Sequence, residues 1–256
     1  MSLSITLLVS ASVYFLINVY NFLLIPLAEK AVPKRIPDHA PPTMQLDKTD
    51  TAFITFNKLT SIAFVYHIIQ FVSLSGMKYD FTSQEEMTSA LLNLPLHLVL
   101  LFVVYDFFYT LFHWALHWPP IYPLIHKHHH KQHSPFRGNV DAINVHPFEY
   151  VTGEYNHLFA IYLVSKIVGA QNMHGFTVLV FLGVGGFLAS LNHTRVDLRI
   201  PYLYNVIAHD VHHAIQPRAN YGQYIMLWDG VFSTFMSTEE AEKLNARQTL
   251  KDKKNL

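Results

Sequence analysis

Three stretches of this chain are too long and too apolar to be surface helices of an ordinary soluble domain. Leu3 to Leu27 contains no charged residue, Phe53 to Leu74 contains Lys58 alone, and Ala90 to Phe112 contains Asp106 alone. About 20 apolar residues in helical form cross a hydrocarbon core of about 30 Å, and each run reaches that length. Two shorter runs, Leu158 to Val168 and Phe176 to Leu191, flank Gly169 to Gly175 and predict a helical hairpin. Composition agrees: 14% of the residues are charged, against about a quarter in soluble domains. Buried core helices of a soluble protein are the alternative for these runs. For the first run a cleaved signal peptide is a further alternative, although the basic n-region is missing. The 256 residues suffice for one sizeable domain.

Basic residues orient the spans. None precedes Lys30; the first linker holds Lys30, Lys34, Arg35 and Lys48 among Pro33, Pro37, Pro41 and Pro42; Gly76 to Ser89 holds only Lys78. The stretches after the third run and after the hairpin hold most of the remainder. This pattern places the N-terminus outside the cytosol, and the first linker, the histidine-rich region and the C-terminus inside it. The tail ends Lys253-Lys254-Asn255-Leu256. It reads either as a dilysine retrieval signal of the endoplasmic reticulum or as a solvated basic tail. A formal net charge of zero gives no footprint for a nucleic-acid partner. The lack of cysteine excludes disulfides, thiolate metal sites and cysteine nucleophiles.

Histidine is the anomaly, with 17 residues, eight of them between His113 and His146. They form three groups: His113-Trp-Ala-Leu-His117, His126-Lys-His-His129-His130 and His209-Asp-Val-His212-His213. Residues four apart on a helix share a face, so His113 and His117 can meet one metal. In H-x-x-H-H the last two residues straddle the face of the first and can serve two neighbouring metals. A pair and two triplets exceed the three or four ligands that a zinc takes and suit two metals. Unpartnered imidazoles in an apolar setting would each cost about 1–3 kcal/mol, a cost that bound metal removes. Imidazole suits iron, zinc, copper and nickel alike, which leaves the metal open; zinc, without redox chemistry, would imply hydrolysis.

Further motifs flank the three groups. Asp106-Phe-Phe-Tyr-Thr-Leu-Phe-His113 leads into the first; Ser134-Pro135 and His146-Pro147 follow the second; His193 stands alone after the hairpin; Asn220-Tyr221-Gly222 and Leu227-Trp228-Asp229, with Phe232 and Thr234, follow the third. From about Asp106 to Thr234 the chain resembles the fatty acid hydroxylase/sterol desaturase superfamily of membrane non-haem di-iron oxygenases. The resemblance implies metal ligation by His113, His117, His126, His129, His130, His193, His209, His212 and His213. His146 is a further candidate, with capping of local backbone as its alternative. His128 and His133 fall off the pattern, and His39, His67, His97, His157 and His174 match nothing. The family usually has Arg directly after the first histidine of the first box; here it is Trp114, so whatever that Arg contacts must be met differently. Asp106 shares a helix face with His113 and is expected to hydrogen-bond a ligand histidine, fixing its tautomer, with Asp210 and Asp229 as lesser candidates.

The expected architecture is all-α: a polytopic membrane helical bundle of about four to five spans including the hairpin, with a cytosolic histidine-rich metal domain. Residues 1–89 would hold N-terminal spans and linkers, 90–238 the fatty acid hydroxylase-like catalytic domain and 239–256 a polar cytosolic tail. The resemblance further implies two non-haem Fe ions, O2 as co-substrate, and a lipid drawn sideways from the bilayer for hydroxylation or desaturation. The substrate leans toward sterol-type lipids, with acyl chains, sphingoid bases and alkyl glycerols open. No haem, flavin, nicotinamide or iron–sulfur signature is visible, so electrons are expected from a separate carrier such as cytochrome b5 and its reductase. The competing readings are a membrane zinc hydrolase, which would want H-E-x-x-H, and a non-enzymatic metal-binding or transport protein.

Overall fold

The computed structural model describes residues 45–200 and 203–244, with 22–32, 34–36 and the single residues 12, 14, 15, 19 and 246. Most of the expected first span, the linker prolines and the dilysine tail lie outside the described residues. Residues 22–31 are helical.

Helix α1 (Lys48–Leu74) starts at a reciprocal cap: Asp47 accepts from Asp50 N, and Asp50 accepts from Asp47 N, each at 2.8 Å. Its buried residues, Asp50, Ile54, Asn57, Ser61, Phe64, Val65 and Ile68, recur every three or four positions and form one stripe. Gly76, at φ +84°, turns the chain out of the helix. Ser83 caps α2 (Gln84–Leu116), which has 33 residues and a length of about 50 Å. It buries Leu101, Tyr105, Asp106, Thr110 and His113, while Leu92, Leu96 and Val99, nearer its N-terminal end, are exposed. Pro119 and Pro120, beyond the cap at His117, prevent its continuation.

After a turn-rich segment come the single-turn α3 (Asn139–Ala142), then α4 (Pro147–Val168) and α5 (Gly175–Leu191). The last two are joined by a short connection, as expected. However, α4 begins well before the apolar run, because Pro147 at its first position and the His146 side chain set its start there. A small antiparallel pair, β1 (Arg199–Ile200) with β2 (Tyr204–Asn205), leads into α6 (Val206–Ala214), and α7 (Leu227–Val231) follows. Thus the fold is mostly helical with one minor hairpin of strands. Among the described residues, α1 and α2 are long and apolar enough to cross a membrane, and α5 is apolar but shorter.

Helix α2 is the axis of the bundle, packed by α4, α5 and α7, while α1 packs on α4. Phe64, Leu101, Tyr105, Ile161, Val164 and Phe181 form the core between them. A second cluster, around Ile36, Leu191, Val196 and Val206, fastens the 34–36 segment to the foot of α6. Asn57 ties α1 to the loop before α4, donating to the Ile143 and Val145 carbonyls at 2.8 and 2.9 Å. All four chain segments that carry histidine boxes or His193 therefore end at one pole of the bundle.

Candidate metal centre

The first box closes α2, and the third rides on α6, whose Asn205 cap accepts from Ile207 N at 3.1 Å. The second box is not α-helical. It lies in consecutive turns that tighten to a 3-10 turn at His129–Lys131. His126 and His130 still share a face, since their Nε2 atoms are 3.0 Å apart. His193 enters directly after α5, beyond the Asn192 cap.

All nine histidines converge, in two groups whose nitrogen atoms lie within 4.8 Å of one another: His113, His117, His126, His130 and His212, and His129, His193, His209 and His213. Each H-x-x-H-H triplet divides between the groups, His129 parting from His126 and His130, and His212 from His209 and His213. The groups abut, with the His130 and His213 rings stacked at 4.8 Å between centroids.

Hydrogen bonds on the outer nitrogens set the tautomers. His113 Nδ1 lies 2.8 Å from the Tyr221 carbonyl, His193 Nδ1 2.8 Å from that of Ala189, and His212 Nδ1 2.7 Å from that of Ala219. A carbonyl only accepts, so these three rings carry their proton on Nδ1 and turn an Nε2 lone pair inward. His126 Nδ1 instead meets Glu149 Oε1 at 2.8 Å. With that carboxylate accepting, His126 and His113 point lone pairs at each other across 3.0 Å. Two facing acceptors repel unless a cation lies between them, and the donor set therefore fits metal. Inward Nε2 separations run from 3.0 to 3.3 Å. Nitrogens about 2.1 Å from a shared metal stand that far apart at angles of about 90–105°. The first group offers more ligands than zinc takes.

Burial holds His126, His129, His209, His212 and His213 well below the usual imidazole range, with neighbouring imidazoles adding to the effect, and pushes His130 down to about 3. The cluster is neutral at pH 7, the form that binds metal.

His146 lies outside both groups. Its Nδ1 accepts from Phe148 N at 3.2 Å, so it is a helix cap. Asp106 also departs from expectation: it bonds no histidine. Fully buried, it accepts from Tyr224 N at 2.9 Å and from Ile225 N, and so grips the loop between α6 and α7. Asp229 holds the same loop through Tyr221 N and Gly222 N, each at 2.8 Å. A Cβ on Gly222 would come within 2.8 Å of that carboxylate, so only glycine fits there. These two aspartates act one step further out, by placing the Tyr221 and Ala219 carbonyls that orient His113 and His212. Asp210 pairs with Arg195. His128 bonds Asn144 and Asp50, and His133 approaches the His213 carbonyl at 3.4 Å. Trp114 stacks on Tyr221 at 5.9 Å, so an aromatic contact stands where the family usually has Arg.

The sequence reading missed Glu149. Its only signal is an acidic residue three places after His146 in a run that turns apolar. The carbonyl orienters have no signal in side-chain identity. A cavity of about 180 Å³ opens between α1, α2, α4 and α5, reaching His129 and His193 of the second group and Glu149 beside the first. Phe64, Val65 and Leu182 give it apolar walls.

Fold and site together define a helical protein with two adjacent all-histidine metal-binding clusters under an apolar cavity. The family model described as fatty acid hydroxylase matches residues 98–234, more than half of the chain, and the chain belongs to that family. No curated protein and no solved structure matches it. Family membership implies an oxidoreductase and, with the two membrane-length helices, points to an integral membrane protein.

Proposed function

We propose that this protein is a membrane di-iron oxygenase that hydroxylates or desaturates a lipid, using O2 and electrons from a separate carrier. The observation that carries the reading is the inward convergence of nine neutral imidazoles in two abutting groups beside a largely apolar cavity. A bound iron pair would supply the one-electron, O2-dependent chemistry that attack on an unactivated C–H bond requires and that no side chain supplies. His113, His117, His126, His130 and His212 would hold one ion, and His129, His193, His209 and His213 the other.

The chain's own residues do the positioning. The Tyr221, Ala189 and Ala219 carbonyls and Glu149 lock ring orientation before metal arrives, which lowers the cost of assembling the site. Burial of the imidazoles, with His117 part-exposed and His129 at the margin, keeps bulk water from the reacting carbon. Phe64, Val65 and Leu182 guide an acyl or ring segment toward His129 and His193. The reading extends to a cytosolic metal pole in the endoplasmic reticulum and to a cytochrome b5-type donor, supported by the distribution of basic residues. Within it, sterol-type lipids remain the favoured substrates.

Metal analysis of protein purified in a membrane mimetic tests this. Two irons per chain are expected. One zinc per chain, or retention of lipid-oxidising turnover after combined His126→Ala, His129→Ala and His212→Ala, would overturn it.

A further inference from the structure

All three tryptophans of the chain lie at the end of the bundle that holds the metal centre: Trp114 and Trp118 where α2 closes, and Trp228 on α7. Around α2, Leu92, Leu96, Val99, Val103, Phe107 and Trp114 fall within about 80° of one another. The first three and Trp114 are exposed. Helix α7 lies over Val103 and Phe107: Trp228 Nε1 donates to the Val103 carbonyl at 2.8 Å, and its ring meets that of Phe107 at 4.8 Å between centroids. Leu227 and Val231 of α7 are exposed in turn, and residues four apart share a helix face. The open apolar face of α2 thus continues over α7 to Trp114 and Trp118. Length sets its depth. Gln84, Glu85 and Glu86 open α2, and its first exposed large apolar residue is Leu91. A hydrocarbon core of about 30 Å takes about 20 helical residues, which runs from Leu91 to Leu111. Trp114 stands about 4.5 Å further on, with Trp118 beyond it, where the bilayer turns polar and tryptophan is enriched.

We propose that α7, the closing turn of α2 and Trp118 are seated in the head-group interface of the leaflet nearer the metal centre, and that the partner of this face is the lipid surface itself. The proposal rests on the reading of α2 as a membrane span. Charge supports it. Arg218 is exposed close in sequence to Tyr221, on which Trp114 stacks, and Lys127 is exposed just after the exposed Leu124. Such side chains lay their stems on apolar surface and hold their cationic heads at the level of lipid phosphates. A second copy of the chain would also cover the face, but it gives no reason for tryptophan and exposed cations to collect at the one depth where a bilayer turns polar. Asp229 lies on the buried side of α7 and holds Tyr221 N and Gly222 N. The same short helix therefore meets lipid on its outside and, on its inside, steadies the loop whose carbonyl orients His113.

The test places the full chain in nanodiscs of phosphatidylcholine that carries a nitroxide quencher on the head group, near the top of the acyl chain or at the chain end. Because every tryptophan is at this pole, intrinsic fluorescence reads it without any substitution. Interfacial seating predicts that the head-group and upper-chain labels quench about twofold or more strongly than the chain-end label. Trp114→Phe combined with Trp118→Phe should remove most of that quenching. Quenching that is equal at all depths, strongest at the chain end, undiminished in the double variant, or absent overturns the proposal; absence is the result if a second copy covers the face. The membrane span has its own readout. The chain has no cysteine, so Val99→Cys carries a single fluorophore. Val99 lies about 12 Å along α2 from Leu91, near the bilayer mid-plane, and its probe should be quenched best by the chain-end label. A quenched Val99 probe with unquenched tryptophans refutes the interfacial seating alone, and an unquenched Val99 probe refutes the span beneath it as well.

Discussion

Replacing Glu149 by glutamine exchanges one carboxylate oxygen for an amide nitrogen and leaves the shape of the side chain intact. The consequence is confined to one imidazole. Glu149 Oε1 is 2.8 Å from His126 Nδ1, and Oε2 is buried without a hydrogen-bond partner among the described residues. Glutamine can keep the amide oxygen against His126, but a charge-assisted bond becomes a neutral one, roughly half as strong. The ring loses basicity at Nε2, the atom that faces His113 and His130. Outer partners of ligand histidines are typically worth about 10–100-fold in metal affinity, or about 1.4–2.7 kcal/mol. His126 belongs to the five-histidine group, so the ion held there should weaken by that factor while the ion of the four-histidine group stays. Glu149→Ala should weaken it further, because the buried Nδ1 proton is then left unpaired at a cost of about 1–3 kcal/mol. Release of iron to a coloured chelator reads this directly: wild type should lose both ions slowly, and Glu149→Gln should show one fast and one slow phase of equal size. Uniform loss of both ions, or wild-type retention in both variants, refutes the assignment of Glu149 to the His126 ion.

Four other outcomes follow from the same geometry. Asp106→Asn keeps one acceptor but sets an amide against the Tyr224 and Ile225 N–H groups; a buried donor left unmet costs about 1–3 kcal/mol, so it should lower unfolding stability by about that much in denaturant titration, while His146→Ala, which removes a cap, should cost about 1 kcal/mol and leave metal content unchanged. Val99→Lys places a charge on the exposed apolar side of α2 and should cost about 2.5–3.5 kcal/mol of membrane insertion; unchanged insertion in a glycosylation-site assay would contradict a bilayer-facing α2. Metal-free protein should lose stability as pH falls. The buried imidazoles titrate far below 6.5 when folded, His130 at about 3, so between those values the unfolded chain binds more protons. Each contributes its stability above pH 6.5 and loses about 1.4 kcal/mol per pH unit below it. A thermal midpoint flat from pH 7 to 5 would exclude this.

The histidine spacings by themselves marked eight of the nine side chains that gather, all but His193, because i, i+3 and i+4 offsets bring residues close whether the backbone is α-helical, as at His209–His213, or wound in tighter turns, as at His126–His130. They also allowed each triplet to serve two neighbouring metals, and the structure divides each triplet in that way. The length and apolarity of Phe53–Leu74 and Ala90–Phe112 likewise determined α1 and α2, since nothing else satisfies so many backbone groups in an apolar run. What only the tertiary structure decided is how the rings are held. The orienting groups are mostly backbone carbonyls at Ala189, Ala219 and Tyr221, and a carbonyl is the same in every residue, so no sequence pattern marks it. Asp106 looked like a partner for His113 because both lie on one face of α2, but the α6–α7 loop packs in between and takes both its oxygens. Glu149 becomes visible only when α4 lies beside the turns that carry His126, 23 positions away, and the contacts of Ser61 with Tyr150 and Glu154, 89 and 93 positions away, only when α1 and α4 are side by side, because a one-dimensional pattern carries no information about which distant faces will meet.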